Sequence, residues 1–267
     1  MNSGVARETS LLLEGQDVSP VFEQNVAGRS PFLFTSDHYG QLIPRQLGDL
    51  GLPASEFERH IAVDVGIAGV AGRLSDHLNA HLIAQRYSRL VIDCNRPPSS
   101  PNSIPHISES TVIPGNEALS RKAARARRRE VFDPYHRHIR EVIDHRLREG
   151  IPTVLVALHS FTPVYAGIAR PWHVGTLYRR DSGLPSLLLK SFRAQSGLVV
   201  GDNEPYAVSE ETDYTIPVHG EARGLLNSGI EIRQDLITEE AGQREWADRL
   251  ANILGEIELE LRAKRLQ

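Results

Sequence analysis

The sequence predicts an α/β protein: a three-layer α/β/α sandwich on a mixed, mainly parallel sheet. Three observations carry this reading. Short continuous apolar runs recur along the chain, amphipathic stretches of helical period lie between them, and several runs end on polar side chains. Continuous rather than alternating apolar runs belong to strands covered on both faces. Strands alternating with helices favour helical layers on a largely parallel sheet. Ligands of such sheets gather beyond the carboxyl ends of the strands, so the polar run ends mark a candidate site.

The elements follow in chain order. Residues 1–20 contain only Leu11–Leu13 as an apolar run, too short for a signal-peptide core, and read as a surface arm or edge element. Strands are expected at 32–35 (FLFT), 60–65 (HIAVDV), 89–93 (RLVID), 153–158 (TVLVAL), 175–179 (GTLYR), 197–202 (GLVVGD) and 229–233 (GIEIR). Val70, Leu74, Leu78 and Leu82 form one apolar stripe and predict a helix over 70–87. Residues 118–150 read as one or two helices, kinked or split at Pro134 and ended by Gly150. Trp246, Leu250, Ile253, Ile257 and Leu261 define a last helix over 239–266. The Pro- and Ser-rich stretch 95–117 follows an apolar run and reads as a loop that walls an active site. With no repeat and no long linker, residues 1–267 read as one catalytic domain.

Bulk composition excludes several functions. A net charge of −4 argues against general nucleic-acid binding, which needs a basic surface. The basic run 121–130 has no interleaved aromatic residues to stack bases and reads as a solvated helix face. No stretch has the length of a membrane span. One cysteine, Cys94, rules out an intrachain disulfide or a Cys-rich zinc site, and fits a cytoplasmic location. No glycine-rich phosphate loop is present. A small-molecule partner remains; the sequence leaves the oligomeric state open.

The polar run ends supply the chemistry. They are Asp37 and His38, Asp64, then Asp93, Asn95 and Arg96, then His159 and Ser160, and finally Glu231, Arg233 and Asp235. Two histidines and a carboxylate commonly hold a catalytic metal with one position open. A further carboxylate there can serve as general base. The alternative is structural: the chain has eleven histidines, and Glu231 in an apolar strand can pair with Arg233 to hold the fold. Arg233 itself reads best as such an ion-pair partner, of Asp235 or Glu231. Ser160 lacks the Gly-x-Ser-x-Gly elbow of a serine nucleophile, and Cys94 reads as a packed core thiol. His136 either points from its helix toward the site or lies on a surface helix.

The segments FTSDHYGQLIP, RHIAVDVGIAGVAGRLS, LVIDCNRPP, FDPYHRHI, VALHSFTP and VHGEARGLLNSGIEIRQDLI resemble the N-formylglutamate amidohydrolases, in the same order, from about Ser30 to Leu236. That resemblance implies a zinc-carboxypeptidase-like sandwich and one Zn2+ per chain, or another divalent metal in its place. It implies cleavage of N-formyl-L-glutamate, or a close N-acyl amino acid, to the amino acid and formate, at the end of a histidine-degradation route. By position, His38 and His159 match metal ligands, Glu231 the general base, and Asn95 with Arg96 a pair that binds substrate carboxylate. Gln41 stands where related sites place a glutamate ligand, so Asp64 is expected as the third ligand. His219 and Arg96 are further candidates for the oxyanion, and Arg223 for a substrate carboxylate. Two alternatives stay open, the first on the departures HYG at 38–40 and the small, apolar DVGIAGVAGRL, the second on Gln41. One is a related deacylase or carboxypeptidase-like hydrolase with another substrate. The other is a non-catalytic metal- or ligand-binding protein on the same fold.

Overall fold

A seven-stranded sheet runs through the middle of the computed structural model, which describes residues 12–180 and 182–265. Of the expected N-terminal arm, residues 1–11 lie outside the described residues. The strands are β1 (Val21–Gln24), β2 (Phe32–Ser36), β3 (His81–Gln85), β6 (Val154–Phe161), β9 (Val174–Leu177), β10 (Val200–Asp202) and β11 (Leu226–Arg233). Between them lie two small hairpins, β4 (Ile107–Ser108) with β5 (Thr111–Val112), and β7 (Val164–Tyr165) with β8 (Ile168–Ala169). The main sheet has the order β1-β3-β2-β6-β11-β9-β10. Its centre, β3-β2-β6-β11, is parallel; β1 joins β3 and β9 joins β11 antiparallel, so the sheet is mixed and mainly parallel as expected.

Helices cover both faces. They are α1 (Ile67–Leu78), α2 (Arg121–Arg127), α3 (Asp133–Arg148), α4 (Gly183–Arg193) and α5 (Glu240–Arg265). Side chains alternate across a strand, and the core divides accordingly. Phe32, Phe34, Val156 and Ile230 pack with Leu74, Leu188 and Leu250 of α1, α4 and α5. Leu33, Ile83 and Leu155 pack on the other face with Ile139 and Ile143 of α3. Burial on both faces is why the central strands read as continuous apolar runs. None of the described helices is long and apolar enough to cross a membrane.

Two expected strands are corrected. Residues 60–65 and 89–93 form turns. Of their apolar residues, Ile61, Ala62 and Leu90 are buried in a separate cluster with Leu50, Leu52 and Ile113, and Val91 and Ile92 in the core on the α3 side, which gives both turns a strand-like composition. The expected helix 70–87 stops at Leu78, where Asn79 takes a left-handed φ of 47°, and β3 begins at His81. Leu82 continued the helical stripe only by coincidence of spacing. Helix α4 was not expected; its apolar run LLL hides the amphipathic period. The stretch 118–150 divides as α2, a π-helical segment at 128–132, and α3 with Pro134 in its first turn. Proline has no N–H to offer the preceding turn, so the helical ladder is disturbed ahead of it.

Candidate active site

The sheet brings the expected residues together at one edge. Parallel pairing of β6 and β11 sets His159 beside Glu231 in register. His38 follows the end of β2, the next strand across from β6. Asp64 comes from the 60–65 turn rather than a strand, and its backbone N–H donates to the His38 carbonyl at 3.0 Å. Gly66 lets that turn enter α1: it sits at φ 78°, and a Cβ there would lie 2.1 Å from the Ile237 carbonyl oxygen.

His38, Asp64 and His159 form a buried group whose candidate ligand atoms all lie within 4.8 Å of one another. The Nδ1 atoms of both imidazoles face one carboxylate oxygen, Asp64 Oδ2, at 3.4 Å from His38 and 3.0 Å from His159. Outer carboxylates meet the opposite nitrogens: His38 Nε2 lies 2.7 Å from Asp93 Oδ1, and His159 Nε2 lies 3.4 Å from Asp37 Oδ2. Asp37 is fixed in turn by the Thr215 hydroxyl, which donates to its Oδ1 at 2.7 Å. Such outer carboxylates hold the Nε2 proton and leave the Nδ1 lone pair for a metal.

The charge balance points the same way. Asp37, Asp64 and Asp93 are all buried, and one guanidinium, that of Arg89, meets two of them: it donates to Asp93 Oδ2 at 2.8 Å and lies 3.4 Å from Asp64 Oδ1. Burial alone pushes these carboxyls up, but the neighbouring imidazoles hold all three below their ordinary values. Burial pushes both imidazoles down, and for His38 the Arg89 charge does too; the carboxylates prevail and hold both raised. The cluster thus calls for positive charge between the Nδ1 atoms and Asp64, either two protons or one divalent cation. Two imidazole nitrogens and a carboxylate oxygen are a donor set that zinc accepts, with a further position left open. The residues fit the metal.

Glu231 stands beside this group. It is buried, its Oε2 has no hydrogen-bond partner, and burial together with the Asp64 charge pushes it up to about 7. A carboxyl poised near neutrality is suited to accept and return a proton. Glu231, His38, His159, Arg89 and Arg96 all line one cavity of about 650 Å³. The 95–117 stretch does wall it, through Asn102, Pro105, Ile107 and Glu109. Ser160 Oγ donates to the Val65 carbonyl at 2.9 Å, so it ties the turn rather than serving as a nucleophile.

The remaining expected residues divide. Arg96 lines the cavity, with its guanidinium on the Thr212 carbonyl and 3.9 Å from Asp93. Asn95 Oδ1 accepts from the Tyr214 and Thr215 N–H groups at 3.0 and 3.1 Å, so it holds the 212–215 segment in place. Arg223 binds Asp144 of α3 and is not among the residues lining the cavity. His219 does not line it either; the ring stacks on His136, 5.2 Å between centroids. Arg233 pairs with Asp235 at 2.8 Å, as read from the sequence. Arg89 was missed because 89–93 read as a strand. Its spacing four residues before Asp93 was the available signal.

His136 is buried and donates from Nε2 to the Cys94 carbonyl at 2.7 Å, which leaves Nδ1 to accept from His219 Nε2 at 3.0 Å. Burial depresses both, His136 to about 4 and His219 to about 3. The unfolded chain therefore binds more protons at these two groups below about 6.5, and their contribution to stability falls as pH drops from there through the folded values. In the metal-free protein this pair therefore costs stability between pH 7 and pH 5, while His38, His159 and Glu231, all held raised, gain it over the same range. His219→Gln should reduce the pair's cost, read as the shift in melting temperature between pH 7 and pH 5. An unchanged shift in the variant would remove the pair as a cause.

A model of the N-formylglutamate amidohydrolase family matches residues 30–238. A solved gene product of Agrobacterium tumefaciens is 37% identical, with a TM-score of 0.90 over 94% of this chain and 99% of that one. A solved N-formylglutamate amidohydrolase from Ralstonia eutropha is 19% identical, with a TM-score of 0.67 over 92% of this chain and 100% of that one, a likeness of fold. No curated protein matches the chain.

Proposed function

The chain belongs to the N-formylglutamate amidohydrolase family, and from that premise we propose that it hydrolyses N-formyl-L-glutamate, or a close N-acyl amino acid, with one zinc ion per chain. The observation that carries this reading is the convergence of two imidazole Nδ1 atoms on Asp64 beside the unpartnered oxygen of Glu231. His38, Asp64 and His159 would hold the zinc. When bound, zinc polarises a carbonyl and makes water more acidic. Asp93 and Asp37 keep the imidazoles oriented through Nε2. Glu231 Oε2 takes a proton from the attacking water and delivers it to the departing nitrogen as the C–N bond breaks and a C–O bond forms. Formate and the free amine leave. Arg96, on the cavity wall, meets the substrate carboxylate with its planar fork.

The test is metal analysis of the purified protein together with formate release from N-formyl amino acids, with and without chelator. Metal near one equivalent per chain and chelator-sensitive release are expected. Release that survives complete metal removal would overturn the metal-dependent reading.

A further inference from the structure

We infer that the cavity receives the substrate's side chain in an apolar recess, which makes N-acyl derivatives of apolar amino acids, of the leucine and methionine type, its substrate class. The inference rests on the hydrolytic reading above and narrows it.

The recess follows from strand geometry. Residues two apart share a face. Two positions before His159 and Glu231 on the same face stand Ala157 and Gly229, paired with each other in register. Across from Gly229 on β9 stands Leu177. The spacing along a strand places this row roughly 6.6 Å from the His159–Glu231 row, about one side chain away. Val208 and Ile216 close the recess: with Ala157 and Leu177 they form an apolar cluster of their own, and all four line the cavity. Gly229 adds no side chain to it; a Cβ there would stand 3.1 Å from Leu177 Cβ and crowd that wall.

The same chain segment joins the recess to the carboxylate-binding wall. Arg96 donates to the Thr212 carbonyl, and Asn95 accepts from Tyr214 and Thr215, between Val208 and Ile216 in sequence. A substrate whose α-carboxylate meets Arg96 therefore directs its side chain along this segment into the recess.

The cavity's charges favour an apolar occupant. Among the described residues lining it, Arg89 is bound to Asp93 at 2.8 Å and His60 lies 3.3 Å from Glu109, whereas Arg96 has its nearest carboxylate oxygen at 3.9 Å. Arg96, held by a neutral carbonyl rather than a close carboxylate, suits one carboxylate, and an N-acylglutamate carries two. A second carboxylate among Ala157, Leu177, Val208 and Ile216 would lose its water without gaining a partner, which is strongly unfavourable. Asp213, also on the cavity wall, would repel it.

The experiment compares kcat/KM of the metal-loaded protein on N-formyl-L-leucine, N-formyl-L-methionine and N-formyl-L-glutamate. Calorimetric binding of the same compounds to Glu231→Gln accompanies it. The leucine and methionine compounds are expected to exceed the glutamate compound by about ten-fold or more in both readouts. Val208→Arg, which brings a guanidinium to the recess, should reverse the order; the wild-type comparison decides alone if that variant does not fold. An equal or greater value for N-formyl-L-glutamate would overturn the inference and leave the hydrolytic reading intact. Turnover of none with leucine-selective binding would overturn the hydrolytic reading and keep the recess. Neither turnover nor binding would overturn both.

Discussion

Glu231→Gln is expected to lower kcat by about 10²–10⁴-fold, the span of a lost general base, while metal content stays near that of the wild type. The substitution keeps shape and removes basicity. Glu231 lies outside the His38–Asp64–His159 group, so its loss should not release the metal. Its Oε2 has no hydrogen-bond partner, so no structural bond breaks with the change. A residue that acts only in the transition state lowers kcat and kcat/KM together and leaves KM nearly unchanged. Turnover within a few-fold of wild type would remove Glu231 from the proton-transfer role. Loss of metal along with turnover would instead make it a ligand.

The sequence made the sheet edge legible but not the way each residue reaches it. β6 and β11 were readable because both faces of the strands are buried, and their polar ends stand out against the apolar runs. Asp64 and Asp93 were singled out for a reason that proved wrong, since both lie on turns packed over the strand ends. A turn whose apolar residues are buried looks, over five or six positions, like a strand. The resemblance carried the roles of His38 and His159, one just past the end of β2 and the other within β6, more than a hundred residues apart. Arg223 shows the opposite limit. Its place in a shared motif suggested the cavity, but direction is fixed by packing, and it turns to Asp144 on α3. The recess could not be read at all. Ala157 and Gly229 are unremarkable in sequence and gain meaning only when β6 and β11 pair them beside the site.

Asp64→Ala is expected to reduce bound metal from near one equivalent per chain to a small fraction, and to abolish metal-dependent turnover with it. Asp64 is the one anion that both Nδ1 atoms face. Its removal leaves two neutral imidazoles, a site with one ligand fewer and no negative charge to hold the ion. Asp64 also accepts the Ser160 N–H at 3.2 Å, so alanine confounds lost charge with a loosened turn. Asp64→Asn separates the two, because an amide oxygen can still accept that N–H while the charge is gone. If charge is what matters, both variants lose metal, and only the alanine variant melts markedly earlier. Asp93→Asn supplies the graded comparison. Asp93 meets the ligands through the far nitrogen of His38 and also holds Arg89, but is not itself in the His38–Asp64–His159 group, so its loss should weaken metal binding by about 10–100-fold rather than eliminate it. Equilibrium dialysis against a zinc buffer resolves the three. Full metal in Asp64→Asn would mean that the imidazoles suffice, and that the carboxylate serves to fix the Ser160 turn.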